Sequence, residues 1–323
     1  MTPSTSSGTL PVDANATRAI TTGGKFEASA GRARKRLSRP WATVASVVIA
    51  VLWTIPTLGL FISSFRPRDD INTSGWWTIF ADPEFTLQNY ADVLQSGTTQ
   101  LTILQSFVNS IAITIPATLV PLMIASMAAY AFAWIDFKGR NALFIFVFAL
   151  QIVPIQMALV PLLTSFSKGI NLFGVQVTES IDASQGYAQV WIAHTMFALP
   201  LAIYLLHNFM SEIPGEIIEA ARVDGASRGQ IFFRIVVPLT MPAIASVAIF
   251  QFLWVWNDLL VALVFADGAA SPITKVLAEI TGRGEGWYLL TAGAFVSIIV
   301  PLIVFFALQR YFVRGLLAGS TKG

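Results

Sequence analysis

Six long stretches of this sequence contain no Asp, Glu, Lys or Arg, and they leave the chain few ways to fold. They lie between Arg39 and Arg66, Asp92 and Asp136, Arg140 and Lys168, Asp182 and Glu212, Arg234 and Asp258, and Glu285 and Arg310. About 20 apolar residues in a helix cross a bilayer. Backbone groups in lipid must bond within their own segment, so spans of this length are helices. We place six spans near 42–64, 108–134, 141–164, 188–209, 240–264 and 289–309. The fold class expected is an all-α membrane protein. Only 12% of the residues are charged, against about 25% in a soluble domain; the charge is missing because water is missing.

Prolines at 56, 116, 121, 154, 161, 200 and 301 fall inside these spans. Each kinks or interrupts a helix, which is tolerable where neighbours or a cavity resatisfy the backbone. A tight, inert bundle has no need of so many. With the N-terminus in the cytoplasm, that side receives fifteen of the 20 lysines and arginines and the outer side five. The positive-inside rule therefore predicts a multi-pass protein of the cell membrane with both termini cytoplasmic. Residues 1–39, rich in Ser, Thr, Ala and Gly and ending in "RARKRLSR", read as a disordered basic cytoplasmic tail. The apolar run from Trp41 is too long for a cleaved signal peptide, so 40–323 is read as a single transmembrane domain.

Between spans four and five the chemistry changes. Glu212, Glu216, Glu219, Arg222, Asp224, Arg228 and Arg234 crowd one segment. At roughly 2.5–3.5 kcal/mol each in a membrane helix, together about 20 kcal/mol, they exclude a seventh span and require a cytoplasmic loop. Pro214 suits a helix start. Glu216 and Glu219 lie near the positive end of that helix and Arg222 near the negative end. Gly225 supplies a left-handed stop. Ser227 with Gln230 has the spacing of a capping box opening a second helix. The expectation is helix–glycine–helix, lying along the membrane surface. Ile217, Ile218, Ala220, Ala221 and Val223 give the first helix an apolar face, which must be covered by its own bundle or by a soluble partner.

The stretch "EAARVDGASRGQIFFRIVVP" strongly resembles the EAA loop of inner-membrane subunits of binding-protein-dependent ABC importers. Glu219, Ala220, Ala221, Gly225, Ile235 and Pro238 match that pattern in register; Val237 stands where leucine is usual. "NSIAITIPATLVPLMIASMAAYAFAWIDFKGR", "FALQIVPIQMALVPLL" and "FLWVWNDLL" look like the smaller, maltose-permease-like subunit of carbohydrate importers. The resemblance runs from about Trp41 to near the C-terminus. It implies that the loop is a coupling helix seated on an ATP-hydrolysing subunit, with Glu219, Ala220, Ala221, Arg222, Asp224 and Gly225 at the contact. It further implies a heterodimer with a second permease subunit, two ATPase subunits, an extracellular sugar-binding protein, and an oligosaccharide or α-glucoside as cargo. Trp254, Asn257, Asp258 and Gln151 are then candidates for the substrate path. The outer segment "DGAASPITKVLAEITGRGEGWYLL" resembles the part that reaches into the binding protein, with Gly282, Gly284 and Gly286 giving it freedom.

Several chemistries are not supported. The chain has no cysteine, and so no thiolate site. His194 and His207 have no sequence neighbours at ligand spacing and read as packed, so no metal and no cofactor is expected. No G-x-x-x-x-G-K-[ST], HExxH or G-x-S-x-G occurs, so the chain cannot hydrolyse ATP by that route; it is not expected to be an enzyme, and the resemblance places ATP hydrolysis in a separate subunit. A net charge of +2 gives no reason to expect nucleic acid; the general partner is membrane lipid. An ion-coupled secondary transporter is the alternative, but it needs buried relays, and the span interiors offer almost none. A scaffold or membrane enzyme is disfavoured by the kinking prolines and the lack of a catalytic cluster.

Overall fold

The computed structural model describes residues 40–320 apart from 99–100, 173–174, 182–185 and 283–285, with the backbone alone at 171–172 and 308–320. The expected tail and Gly284 therefore lie outside the described residues. Contacts divide the chain after Leu60 into two units. The described part of the first is most of helix α1 (Pro40–Ser64). There Ser46 and Thr54 hydroxyls donate to the carbonyls of Ala42 and Ala50 one turn back, which hides their polarity inside the helix.

The second unit opens with α2 (Arg68–Thr73) and α3 (Gln88–Gln95). Asn89 Nδ2 donates to the carbonyls of Ser64 and Arg66 at 3.0 and 2.8 Å, tying α3 to the chain leaving α1. A capping box formed by Thr102 and Gln105 starts α4 (Ile103–Trp134), earlier than the span read from sequence. Buried Ser110, Thr114, Ala117, Ala125, Ser126 and Ala129 line α4. Small residues of this kind let helix backbones approach. Two helices pack along it: α7 (Ala188–Met210) and α10 (Val237–Trp256).

The third expected span is not one helix. It comprises α5 (Arg140–Ala149), a 3₁₀ turn over Leu150–Ile152, and α6 (Ile155–Lys168), bent by 101° at the break. Pro154 is the cause: it pushes Val153 to extended backbone, φ −70° and ψ 118°, because a residue before proline avoids helical angles. Among the described residues, five helices are long and apolar enough to cross a membrane, or six if the bent pair is one span. After α6 comes an antiparallel pair, β1 (Ile170–Leu172) and β2 (Val175–Thr178), in register Asn171 to Gln176 and Leu172 to Val175. It is a small β element in an otherwise helical chain.

The fifth span also differs from expectation. A helix runs unbroken from Arg228 to Trp256: α9 (Arg228–Ile231), a π turn over Phe232–Val236, then α10. Its predicted outer part is instead the separate α11 (Leu260–Phe265), with the backbone N–H of Ala262 donating to Asp258 Oδ2 at 3.1 Å. The chain ends in α12 (Ile273–Gly282) and α13 (Trp287–Ser320). Ile273, Val276 and Ile280 of α12 are buried with Leu289 and Ala292 of α13 and Val93 of α3.

Three prolines show how such kinks are tolerated. Pro116, Pro121 and Pro301 lack the N–H that would bond the carbonyls of Ala112, Ala117 and Ser297, four residues back. Each carbonyl receives a side-chain donor from a neighbouring helix instead. Trp191 Nε1 donates to Ala112 at 3.1 Å, Gln251 Nε2 to Ala117 at 3.2 Å and Trp256 Nε1 to Ser297 at 3.0 Å. The kinks thus become attachment points between α7, α10, α4 and α13.

Candidate functional site

The charged segment is built locally, then bolted to the bundle. Pro214 precedes α8 (Gly215–Val223), and Asp224 ends it. Gly225 has φ +78°, the left-handed region that side chains avoid. The N–H of Gly225 donates to the carbonyl of Arg222 at 3.1 Å and that of Ala226 to Ala221 at 3.0 Å. These two bonds are a Schellman closure. Ser227 and Gln230 form the expected reciprocal capping box. The helix it opens is α9, which is the base of the long fifth helix. The surface rod is α8 alone, because Ile231, Phe232 and Val236 are buried in the core and pull the chain directly into the bundle.

The two faces of α8 have different fates. Ile218 is 1% exposed and Ala221 is 8% exposed, packed with Leu206, Met210, Ile213 and Phe232. Ile213 before the helix and Ile218 within it hold the positions of a hydrophobic staple. Glu216, Glu219, Ala220 and Asp224 are exposed, and Val223 is 87% exposed. Three bonds join this segment to the last turn of α4. Trp134 Nε1 donates to Met210 O at 3.0 Å, Tyr130 Oη to Arg228 O at 3.3 Å, and Arg222 Nη2 to Trp134 O at 2.9 Å. The last places a cation on a helix C-terminus, where free carbonyls and the dipole favour it.

Away from this segment, the break in the third span opens a cleft of ≈ 90 Å³ against α7 and α10. Its walls are mostly apolar, with Gln151, His194, Gln251 and Trp254 as the polar or amphipathic side chains. Trp254 is 59% exposed, whereas His194 is 3% exposed. Nε2 of His194 stands 3.8 Å from Oδ2 of Asp258. That is too long for a hydrogen bond.

Comparison with known proteins adds what geometry alone cannot. Residues 121–317 match the family of binding-protein-dependent transport system inner membrane components. The chain belongs to this family. It is 53% identical to the osmoprotective compounds uptake permease protein GgtD of Synechocystis sp., over 86% of this chain and 91% of that protein. It is 39% identical to the alpha-glucoside transport system permease protein AglG of Rhizobium meliloti, over 90% and 99%. Among solved structures, it shares a fold with a chain of a bacterial ABC transporter that imports the acidic polysaccharide alginate. There the TM-score is 0.66 at 16% identity, covering 88% of this chain and 99% of that one. The protein is a membrane-embedded ABC importer permease, and ATP hydrolysis belongs to a separate subunit.

In this permease, Glu219, Ala220, Arg222, Asp224 and Gly225 are exposed along α8 and its closing turn, whereas Ala221 faces its own core. Of the four residues expected near a substrate path, Gln151 and Trp254 share the cleft. Asn257 does not line it; its Nδ2 donates back to Leu253 O at 2.8 Å. Asp258 caps α11 and stands behind His194. Sequence reasoning read His194 as a packed residue without an acidic neighbour, because the two lie on different elements. Gln251 was also missed; the available signal was a polar amide within the uncharged apolar run of the fifth span. Asn109 is structural, donating to the carbonyls of Ala269 and Ser271 and accepting from Tyr187. Gly282 ends α12, and Gly286 precedes α13. Most of the outer segment is therefore packed helix, not a loose connector. Among the described residues, no group of three or more His, Asp or Glu side chains is placed to hold a metal ion.

Proposed function

We propose that this chain is the smaller permease of a carbohydrate importer, with α8 as its mechanical link to an ATPase. It pairs with a second permease subunit, and the pair carries two ATPase subunits and receives sugar from an extracellular binding protein. Both termini face the cytoplasm, which places α8 on the ATPase side. The cargo is an oligosaccharide or α-glucoside, a reading supported by the names of the relatives at 39% and 53% identity. The observation that carries the coupling role is the division of α8. One face is locked into the bundle, and the other presents Glu219, Ala220 and the exposed Val223 outward. A bare valine on a rigidly closed rod is an arrangement that a partner groove covers well. Gly282 and Gly286, at the outer end, remain our candidates for the binding-protein contact.

The test is co-purification of the tagged permease with a nucleotide-hydrolysing subunit, repeated for Glu219→Lys. We expect the wild type to retain the ATPase, and the variant to insert normally in the membrane but lose the ATPase and sugar uptake. Normal uptake by Glu219→Lys would remove α8 from the coupling path.

A further inference from the structure

We propose that residues 76–87, in the connection between α1 and α3, are an interfacial anchor whose exposed aromatic ridge is covered by zwitterionic lipid at the end of the first span. Four large apolar side chains stand out from this connection: Trp77, Phe80, Phe85 and Leu87 are all exposed, Phe80 the most at 79%. Trp76–Phe80 is a 3₁₀ turn, in which side chains three apart eclipse one another. Trp77 and Phe80 therefore form one ridge, while Ile79 is buried on the opposite side. Phe85 and Leu87 flank Thr86, whose N–H donates to Phe65 O at 2.6 Å, so the main chain is held here while both neighbours stay bare.

The fold clamps this ridge at one level. Arg66 is only 3% exposed, and its guanidinium donates to neutral oxygens alone: Ser74 O at 3.3 Å, Ser74 Oγ, and Thr78 Oγ1 at 2.9 Å. Burying a cation is costly, and here it fixes the turn against the end of α1. Asn89 ties the far end of the connection to the carbonyls of Ser64 and Arg66. α1 is long and apolar enough to cross a membrane, and its uncharged run stops at Arg66. Residues 64–66 thus stand at a membrane surface, and what is clamped to them stands there too. That position says what covers the ridge. Neither Trp76 nor Trp77 has an acceptor for its indole N–H among the described residues. An apolar ring with one free donor suits the membrane–water interface, where lipid ester and phosphate oxygens accept. From Gly75 to Leu87 there is no Lys or Arg, whereas Asp82 and Glu84 are exposed. Surfaces for anionic lipid carry cations; this one repels such head groups and admits zwitterionic ones. The anchor also reaches other helices. Val93 of α3 is buried against Ile273, Val276 and Ile280 of α12, and Arg68 lies over the Tyr288 ring at 4.6 Å from its centre. It therefore sets the level of α12 and the start of α13 against the bilayer.

The chain has no cysteine, so one introduced thiol can be spin-labelled cleanly. Phe80→Cys and Leu87→Cys are labelled in the complete importer in phosphatidylcholine proteoliposomes, with Glu179→Cys, exposed on the loop after β2, as the aqueous reference. Relaxation by oxygen and by a water-soluble nickel chelate should place both ridge labels about 5–10 Å into the boundary between head groups and acyl chains. Ridge labels that match the reference overturn the anchor. Labels shielded from both oxygen and nickel overturn it as well, because a protein partner then covers the ridge. A second measurement needs no thiol: the fluorescence lost on Trp77→Phe should be quenched by lipid brominated near its carbonyl, and quenching by aqueous iodide instead overturns the anchor. Replacing phosphatidylcholine with phosphatidylglycerol should move both labels toward water, and Asp82→Asn with Glu84→Gln should cancel that shift. Unchanged or deeper labels in phosphatidylglycerol overturn the choice of zwitterionic lipid.

Discussion

The α8 rod and the cleft do opposite things with polar groups. At α8, polar groups close the main chain on itself within a few residues: the Gly225 and Ala226 amides onto Arg222 and Ala221, and Ser227 with Gln230. The rod keeps its shape whatever the bundle does. The cleft has no such closure. Its walls come from three separate spans, and Gln251 is held by a carbonyl that a proline on α4 released. Its shape therefore depends on how the broken third span, α7 and α10 lie against one another. In the function proposed above, α8 is the handle and the cleft is part of the bundle that it moves. Trp134, Tyr130 and Arg222 form the joint between handle and bundle.

The hardest blow to the stiff region is Gly225→Pro. Proline fixes φ near −65°, removes the N–H bonded to Arg222, and costs roughly 3 kcal/mol or more locally. Sugar uptake should vanish while the amount of protein in the membrane stays constant, as measured by uptake assay and immunoblot. Unchanged uptake would mean that the closed geometry of α8 does not matter.

The helix contacts can be broken at a proline. Trp256→Phe orphans the Ser297 carbonyl and should cost about 1–3 kcal/mol in detergent unfolding. In a Pro301→Ala background the restored amide can bond Ser297, so the same change should cost much less. Equal costs in both backgrounds would refute the link between the indole and the kink.

A neighbouring pair separates the two faces of α8. Ala221→Leu overpacks the buried face and should destabilise the permease by about 1–3 kcal/mol. Ala220→Leu, on the exposed face, should alter stability by less than about 0.5 kcal/mol yet weaken ATPase retention. Reversal of the two effects would invert our orientation of the rod. Arg222→Ala removes a partly solvated cation from the α4 terminus. We expect about 0.3–1 kcal/mol, shrinking with added salt. Salt-independent loss would assign the contact to packing.

How much of this was readable in advance varied with distance along the chain. The glycine stop, the capping box and the charged loop follow from residues within a few positions of one another, and each stands where the sequence put it. The second surface helix did not, since Ser227 opens a helix that continues through the π turn into the bundle. The cap signal marks where a helix begins and says nothing of where it goes. The third span was legible as apolar, but the 101° bend was not. Proline announces a break, and the packing around it sets the angle. The cleft was half visible: Gln151 and Trp254 stood out as polar or aromatic residues in apolar runs, while His194 looked like any buried histidine.

The sequence by itself determined that this chain enters a membrane, which loop stays out of it, and how that loop is closed. Those outcomes depend on transfer free energy and on bonds between near neighbours. Only the tertiary structure decided that Ala221 turns inward, that Trp191, Gln251 and Trp256 satisfy carbonyls freed by distant prolines, and that Asp258 backs His194. Each of these needs two helices to meet, and composition along one helix does not specify the face its neighbour will find.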